Sequence, residues 1–241
     1  MSNILDCSSF ESARKSVAAI FGIDDTKLMD FLKSIEFLPA AEEFTKFIYS
    51  KVCSEFGAPI NHHHTVWFHG TRALNAESFN VKGILPKSAA REHVESILLP
   101  LAVGIEKIGK NPFSLSLVGK QTKADEGPFA VLIKDAAVYA TGCAHSYIDA
   151  PEMVEDIAGS LLGTNYIHLV KRFQEITKPY VVSFIEQAET YELRHAVWYL
   201  YLIASGEDII ESASSANTCF DAAGHVVKPE KIRAIQELEN V

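Results

Sequence analysis

The amino-acid sequence predicts an α+β fold, with a helical N-terminal extension followed by a split, mostly antiparallel sheet and packed helices. Three observations carry that prediction. Residues 1–60 hold three stretches with apolar residues at helical spacing. Beyond them, residues 65–69, 113–118, 128–133 and 180–185 are short runs rich in β-favouring residues, bounded by Gly, Pro or charged positions. Residues 87–110, 151–163 and 191–204 carry helical patterns between and after those runs. The chain therefore divides near residue 60, into a helical subdomain (1–60) and a sheet-containing domain (61–241).

The first helix is expected over Ser9–Phe21, with Ala13, Val17, Ala18 and Phe21 on one face and Gly22 as its stop. Asp24, Asp25 and Thr26 offer capping oxygens to a second helix whose stripe is Leu28, Phe31, Leu32 and Ile35. A third follows Pro39, with Phe44, Phe47, Ile48 and Val52 aligned. Next comes Thr65-Val66-Trp67-Phe68-His69, a strand in which successive side chains alternate faces, expected to end at Gly70. A short helix over 74–79 and an extended return through Gly83-Ile84-Leu85-Pro86 follow. Val94, Ile97, Leu98 and Leu101 then share a helix face. Phe113, Leu115 and Leu117 alternate with Ser114 and Ser116, a half-buried strand pattern, whereas 128–133 reads as a fully buried central strand. Pro151 suits a first helical position, with acids in the first turn and Met153, Val154, Ile157 and Leu161 inward. Residues 191–204 are apolar nearly all round, the mark of a buried helix. A hairpin is expected over 218–227, turning at Ala223-Gly224, and 232–235 reads as either strand or helix.

Composition bounds the function. The 241 residues are 48% hydrophobic and 22% charged, ordinary for a globular protein. A net charge of −9 argues against a general nucleic-acid-coating surface, while leaving room for a local basic groove. No N-terminal segment reads as a secretion signal, and the longest apolar runs are too short to span a bilayer as helices. Cys7, Cys53, Cys143 and Cys219 are scattered without a Cys-x-x-Cys pair, as expected for reduced thiols in a cytoplasmic protein with no zinc site. His62, His63 and His64 are adjacent, so they cannot all converge on one ion; a polar loop is expected there.

The segment with the most concentrated chemistry is His69-Gly70-Thr71-Arg72, followed by the short helix and the Gly83-Ile84-Leu85-Pro86 return. Over 65–86 this arrangement resembles the first nicotinamide-binding segment of the ADP-ribosyltransferase superfamily. The His-Gly-Thr resembles in particular the branch containing diphtheria toxin and the poly-ADP-ribose polymerases. The resemblance implies NAD as co-substrate and cleavage of the bond joining nicotinamide to ribose, through an oxocarbenium-like state. It implies that His69 bonds a ribose hydroxyl and that the Gly70 backbone reads the nicotinamide amide. It further implies a hydroxyl from Thr71 and a phosphate contact through the planar fork of Arg72.

A stacking tyrosine and a glutamate complete the site in that branch. The branch's Gly-x-Tyr-Phe signature is absent, and the nearest stretch, Gly127-Pro128-Phe129, has no tyrosine. Tyr147 is preferred over Tyr139 as the stacker, because it sits in a polar cluster with Cys143, His145 and Asp149. Glu152 and Glu155 are ranked ahead of Glu186 and Glu189 as the carboxylate. Gln187-Ala188-Glu189 is similar to an element of the arginine-modifying branch, a different motif set. The plain alternative for His69 is a structural histidine bonded to a nearby backbone carbonyl.

The resemblance thus implies a toxin- or defence-like mono-ADP-ribosyltransferase. Its partners would be a macromolecular acceptor, protein or nucleic acid, and a neutralising or regulatory protein. An NAD glycohydrolase shares every feature. A tRNA 2′-phosphotransferase uses a related fold and NAD but needs a basic RNA surface. A non-catalytic interaction module with a vestigial cleft is the alternative from a different class.

Overall fold

The computed structural model describes residues 3–36, 44–60, 62–113, 126–139 and 146–239. The described residues are mixed α+β, with six strands: β1 (Asn3–Leu5), β2 (His62–Ala73), β3 (Phe129–Val131), β4 (Lys178–Gln187), β5 (Cys219–Asp221) and β6 (Ile232–Glu237). They pair in the order β5-β3-β2-β4-β6, with β1 added alongside β2. The described helices are α1 (Phe10–Phe21), α2 (Asp25–Ser34), α3 (Phe44–Phe56), α4 (Glu77–Lys82) and α5 (Lys87–Leu101). They continue with α6 (Lys134–Tyr139), α7 (Glu152–Leu162), α8 (Tyr166–Ile176), α9 (Thr190–Ala204) and α10 (Ile209–Ala216). Among the described residues, no helix is long and apolar enough to cross a membrane.

The expected division at residue 60 differs from the observed one. Contacts group the chain into two discontinuous units. One holds residues 1–68, 131–142 and 184–220; the other holds 69–130, 143–183 and 221–241. The N-terminal helices share their unit with α9, against which α1, α2 and α3 pack.

In the first unit the helix ends follow local chemistry. Ser9 caps α1 by accepting from the Ser12 N–H, and Gly22 closes it in the left-handed region at φ 68°. Asp24 accepts from the Thr26 and Lys27 N–H groups to start α2. The α9 helix is buried through Leu193, Ala196, Val197, Tyr199 and Leu200, matching its apolar sequence. Glu189 is its N-cap, and the Glu189 N–H donates to Glu192 Oε2 at 2.8 Å. That bond gives Glu189 a structural role at the helix start. Trp67, Phe184 and Phe220 form an aromatic cluster, with ring centroids 5.5 Å apart for Trp67–Phe220 and 5.4 Å for Phe184–Phe220.

Two corrections arise at β2. The strand begins at His62, so His62–His64 are strand rather than loop. The reason is β1, a three-residue strand too short to show a period. It pairs in parallel with β2, Ile4 opposite His64 and Leu5 opposite Thr65. The strand also continues through Gly70 to Ala73, where the sequence suggested an exit.

His62 carries a testable consequence. Burial first, then the neighbouring His63 and His64 rings, push it from the ordinary 6.5 down to about 4. An imidazole held neutral by folding stabilises fully above the unfolded value, and that contribution is lost as the pH falls towards about 4. The thermal midpoint should therefore drop as the pH is lowered from 6.5 towards 4, less steeply in His62→Gln. Superimposable melting profiles for the two proteins across that range would refute this.

The second unit has its own core, formed by Leu98 of α5, Val154, Ile157 and Leu162 of α7, and Leu169 and Phe173 of α8. Val94, Ile97, Leu101, Met153 and Leu161 are partly buried against it, as their helical spacing predicts. Pro151 sits one residue before its expected place, as the residue preceding α7. Other expectations need correction here. The 128–133 stretch supplies only the short β3, and Phe129 is 40% exposed rather than buried. The 218–227 hairpin does not close on itself. Ala223 and Gly224 do turn, both with positive φ, but Val227 bridges Ile84, while the Ala222 and Gly224 N–H groups donate to Pro128 O and Gly127 O. Residues 232–237 are strand β6. The expected strand at 113–118 lies, from residue 114 on, outside the described residues.

Candidate functional site

The end of β2, helix α4 and the first half of α5 enclose a cleft of about 250 Å³ in the second unit. His69, Thr71 and Arg72 line one side, and Gly83, Ile84 and Leu85 of the return line another. Ser78, Lys82, His93 and Ile97 bring the two helices to it. Pockets for drug-sized ligands run to about 300–1,000 Å³, so this cleft fits a nucleoside-sized fragment rather than a whole dinucleotide.

His69 is held by its own ring. Its Nδ1–H donates to the Phe129 carbonyl oxygen at 2.7 Å. Burial lowers its pKa below the ordinary histidine value, partly offset by that bond, so the neutral ring is favoured at neutral pH. A carbonyl cannot donate, so Nδ1 carries the proton and Nε2 is left as an acceptor. The expected structural bond to a carbonyl is thus present, and it also fixes the tautomer a ligand would meet. The same carbonyl brings Gly127-Pro128-Phe129 beside His69, with the Phe129 ring part-exposed.

Arg72 departs from its expected role. Its Nε donates to Thr177 Oγ1 at 3.1 Å, Nη1 to Ile148 O at 3.0 Å, and Nη2 to Gln174 O at 3.0 Å and Thr177 O at 2.8 Å. The guanidinium satisfies carbonyls left open where α8 ends. A bidentate phosphate contact would have to displace those bonds, so Arg72 serves as a strut in the cleft wall. It also accounts for the persistence of β2 past Gly70, because its fork ties the strand to α8.

Tyr147, Glu152 and Glu155 are not among the described residues lining this cleft. Tyr147 lies in a turn before α7 and is 44% exposed. Glu152 and Glu155 occupy the first turn of α7, where carboxylates favour the positive end of the helix dipole. No carboxylate and no tyrosine appears among the described lining residues. His145 and Cys143 lie outside the described residues, and Cys7 and Cys53 are free thiols. Among the described residues, no cluster of His, Cys, Asp or Glu could hold a metal ion.

The sequence reading did not single out Asn75, Lys82 and His93. A signal for His93 existed, since Ala90, His93, Val94 and Ile97 share one face of α5. No protein-family model matches the chain, nor does any curated protein or solved structure.

Proposed function

We propose that the cleft beside His69 receives the nicotinamide–ribose half of NAD, and that the chain is an NAD-dependent mono-ADP-ribosyltransferase acting on a macromolecule. The observation that supports this reading is His69 itself. A neutral histidine with Nδ1–H fixed on Phe129 O offers Nε2 to a ribose hydroxyl, at the wall of a cleft of nucleoside size. In this reading the Gly70 main chain, between His69 and Thr71, meets the carboxamide. Fixing the sugar favours bond cleavage by orientation, the ring being held as positive charge develops on the ribose.

A second reading is favoured by one specific observation, the lack of a carboxylate among the described lining residues. In that reading the chain binds NAD without transferring ADP-ribose. Free nicotinamide, followed during incubation with NAD and cell lysate as a source of acceptors, separates the two. The transferase reading expects release by the wild type and by Glu152→Ala and Glu155→Ala, with loss in His69→Ala. Binding of NAD without release would favour the second reading. Absence of both binding and release would remove the two together. Release that survives His69→Ala would remove His69 from the site.

A further inference from the structure

The ionisable lining of the cleft is one-sided. The chain carries 31 acidic residues against 22 Lys and Arg. Yet the ionisable side chains among the described lining residues are His69, Arg72, Lys82 and His93, all nitrogen bases. Two of them are already engaged, His69 through Nδ1 and Arg72 through its four bonds to the chain. Lys82 and His93 are not: neither side chain makes a hydrogen bond or ion pair among the described residues.

Their placement is set by the chain path. Lys82 ends α4, His93 lies on α5, and the Gly83–Pro86 return joins the two helices, so both side chains border one cavity from consecutive helices. Asn75 and Thr71 add an amide and a hydroxyl to the same lining. Lys offers three donors and no acceptor, and a ring N–H and an amide add directional ones. Several converging donors suit a group with several acceptor oxygens and full negative charge. Both side chains are exposed at the mouth of the cleft, so the attraction is open to screening by salt.

We infer that Lys82 and His93 form an anion subsite that takes a phosphate group at the α4–α5 end of the cleft. The phosphate comes either from the diphosphate of the dinucleotide itself or from a phosphate-bearing acceptor. The inference rests on the preceding reading for the cleft as the place of binding, but it needs neither nicotinamide nor His69. An acidic chain thereby presents a local basic site where its overall charge would repel an anion.

Titration of the intact chain with inorganic pyrophosphate tests this. Wild type should bind saturably at low salt and more weakly as salt rises. Lys82→Ala and His93→Ala should each weaken binding by about tenfold, the size of one charge-assisted hydrogen bond. His69→Ala should bind as the wild type does, and matched melting curves would show that the variants are folded. Pyrophosphate displaced by NAD assigns the subsite to the dinucleotide's own diphosphate. Pyrophosphate bound together with NAD assigns it to an acceptor. Either result keeps the subsite. Failure of the wild type to bind pyrophosphate at low salt overturns it, as does unchanged affinity in both Lys82→Ala and His93→Ala. Pyrophosphate binding through Lys82 in a chain that does not bind NAD would leave this subsite standing and remove the nicotinamide reading.

Discussion

Replacing Arg72 by alanine is expected to lower the unfolding free energy by about 3 kcal/mol, among the larger single-residue effects. The guanidinium makes four hydrogen bonds, three of them to backbone carbonyls at Ile148, Gln174 and Thr177. Ile148 and Thr177 are buried, so truncation leaves acceptors without water at hand. The side chain is only part-buried, and this keeps the expected loss from being larger. Arg72→Lys retains the charge and most of the stem, but a point ammonium cannot reproduce the planar fork. It should recover less than half of the loss. Urea denaturation of the three proteins measures this directly. A loss under about 0.5 kcal/mol, the range of ordinary surface substitutions, would mean that the bonds are not structural. If stability held while pyrophosphate binding fell, Arg72 would return to the phosphate role suggested by the sequence.

Gly83→Ala is expected to cost about 2–4 kcal/mol, because two independent penalties meet there. Gly83 has φ 73° and ψ −157°, a region open to glycine almost alone. A Cβ at that position would also run into the Val227 carbonyl oxygen, main chain that cannot swing aside. The Ile84–Val227 bridge beside it, with N–H···O distances of 2.9 and 3.0 Å, would be pushed apart. Since Gly83, Ile84 and Leu85 line the cleft, ligand binding should fall together with stability. Gly104→Ala supplies the comparison. Its φ is 81°, but a Cβ there meets nothing within 4 Å, so only the backbone strain remains, about 1 kcal/mol. Equal melting temperatures for the two variants would show that the Val227 contact does not constrain the return.

These sites also show what could be read from the chain alone. Helices α1 and α2 are legible because each pairs a capping signal with an apolar face, α5 through its apolar spacing, α7 through Pro151 and its acidic first turn, and α9 through its nearly unbroken apolar run. The features missed depend on partners distant in sequence. His62–His64 read as loop because Asn3–Leu5, the strand that pairs with them, shows no pattern of its own. Arg72 read as a phosphate ligand because its type and motif position are the same in either role. Only the arrival of residues 148, 174 and 177 distinguishes them. Gly127-Pro128-Phe129 lacks the branch's tyrosine, yet its Phe129 carbonyl accepts from His69. Glu152 and Glu155 rank first because Glu189 belongs to a different motif set, but they occupy the first turn of α7 and are not among the described lining residues. The local motif marks a strand whose end borders the cleft, whereas the completion of that cleft by α4 and α5 requires the fold.

Calorimetric titration of NAD into the wild type and His69→Ala tests the central claim most directly. The account predicts saturable binding by the wild type, with affinity reduced by about tenfold or more in a folded His69→Ala protein that still binds pyrophosphate. Absence of NAD binding by the wild type, or equal affinity in the two proteins, would contradict it.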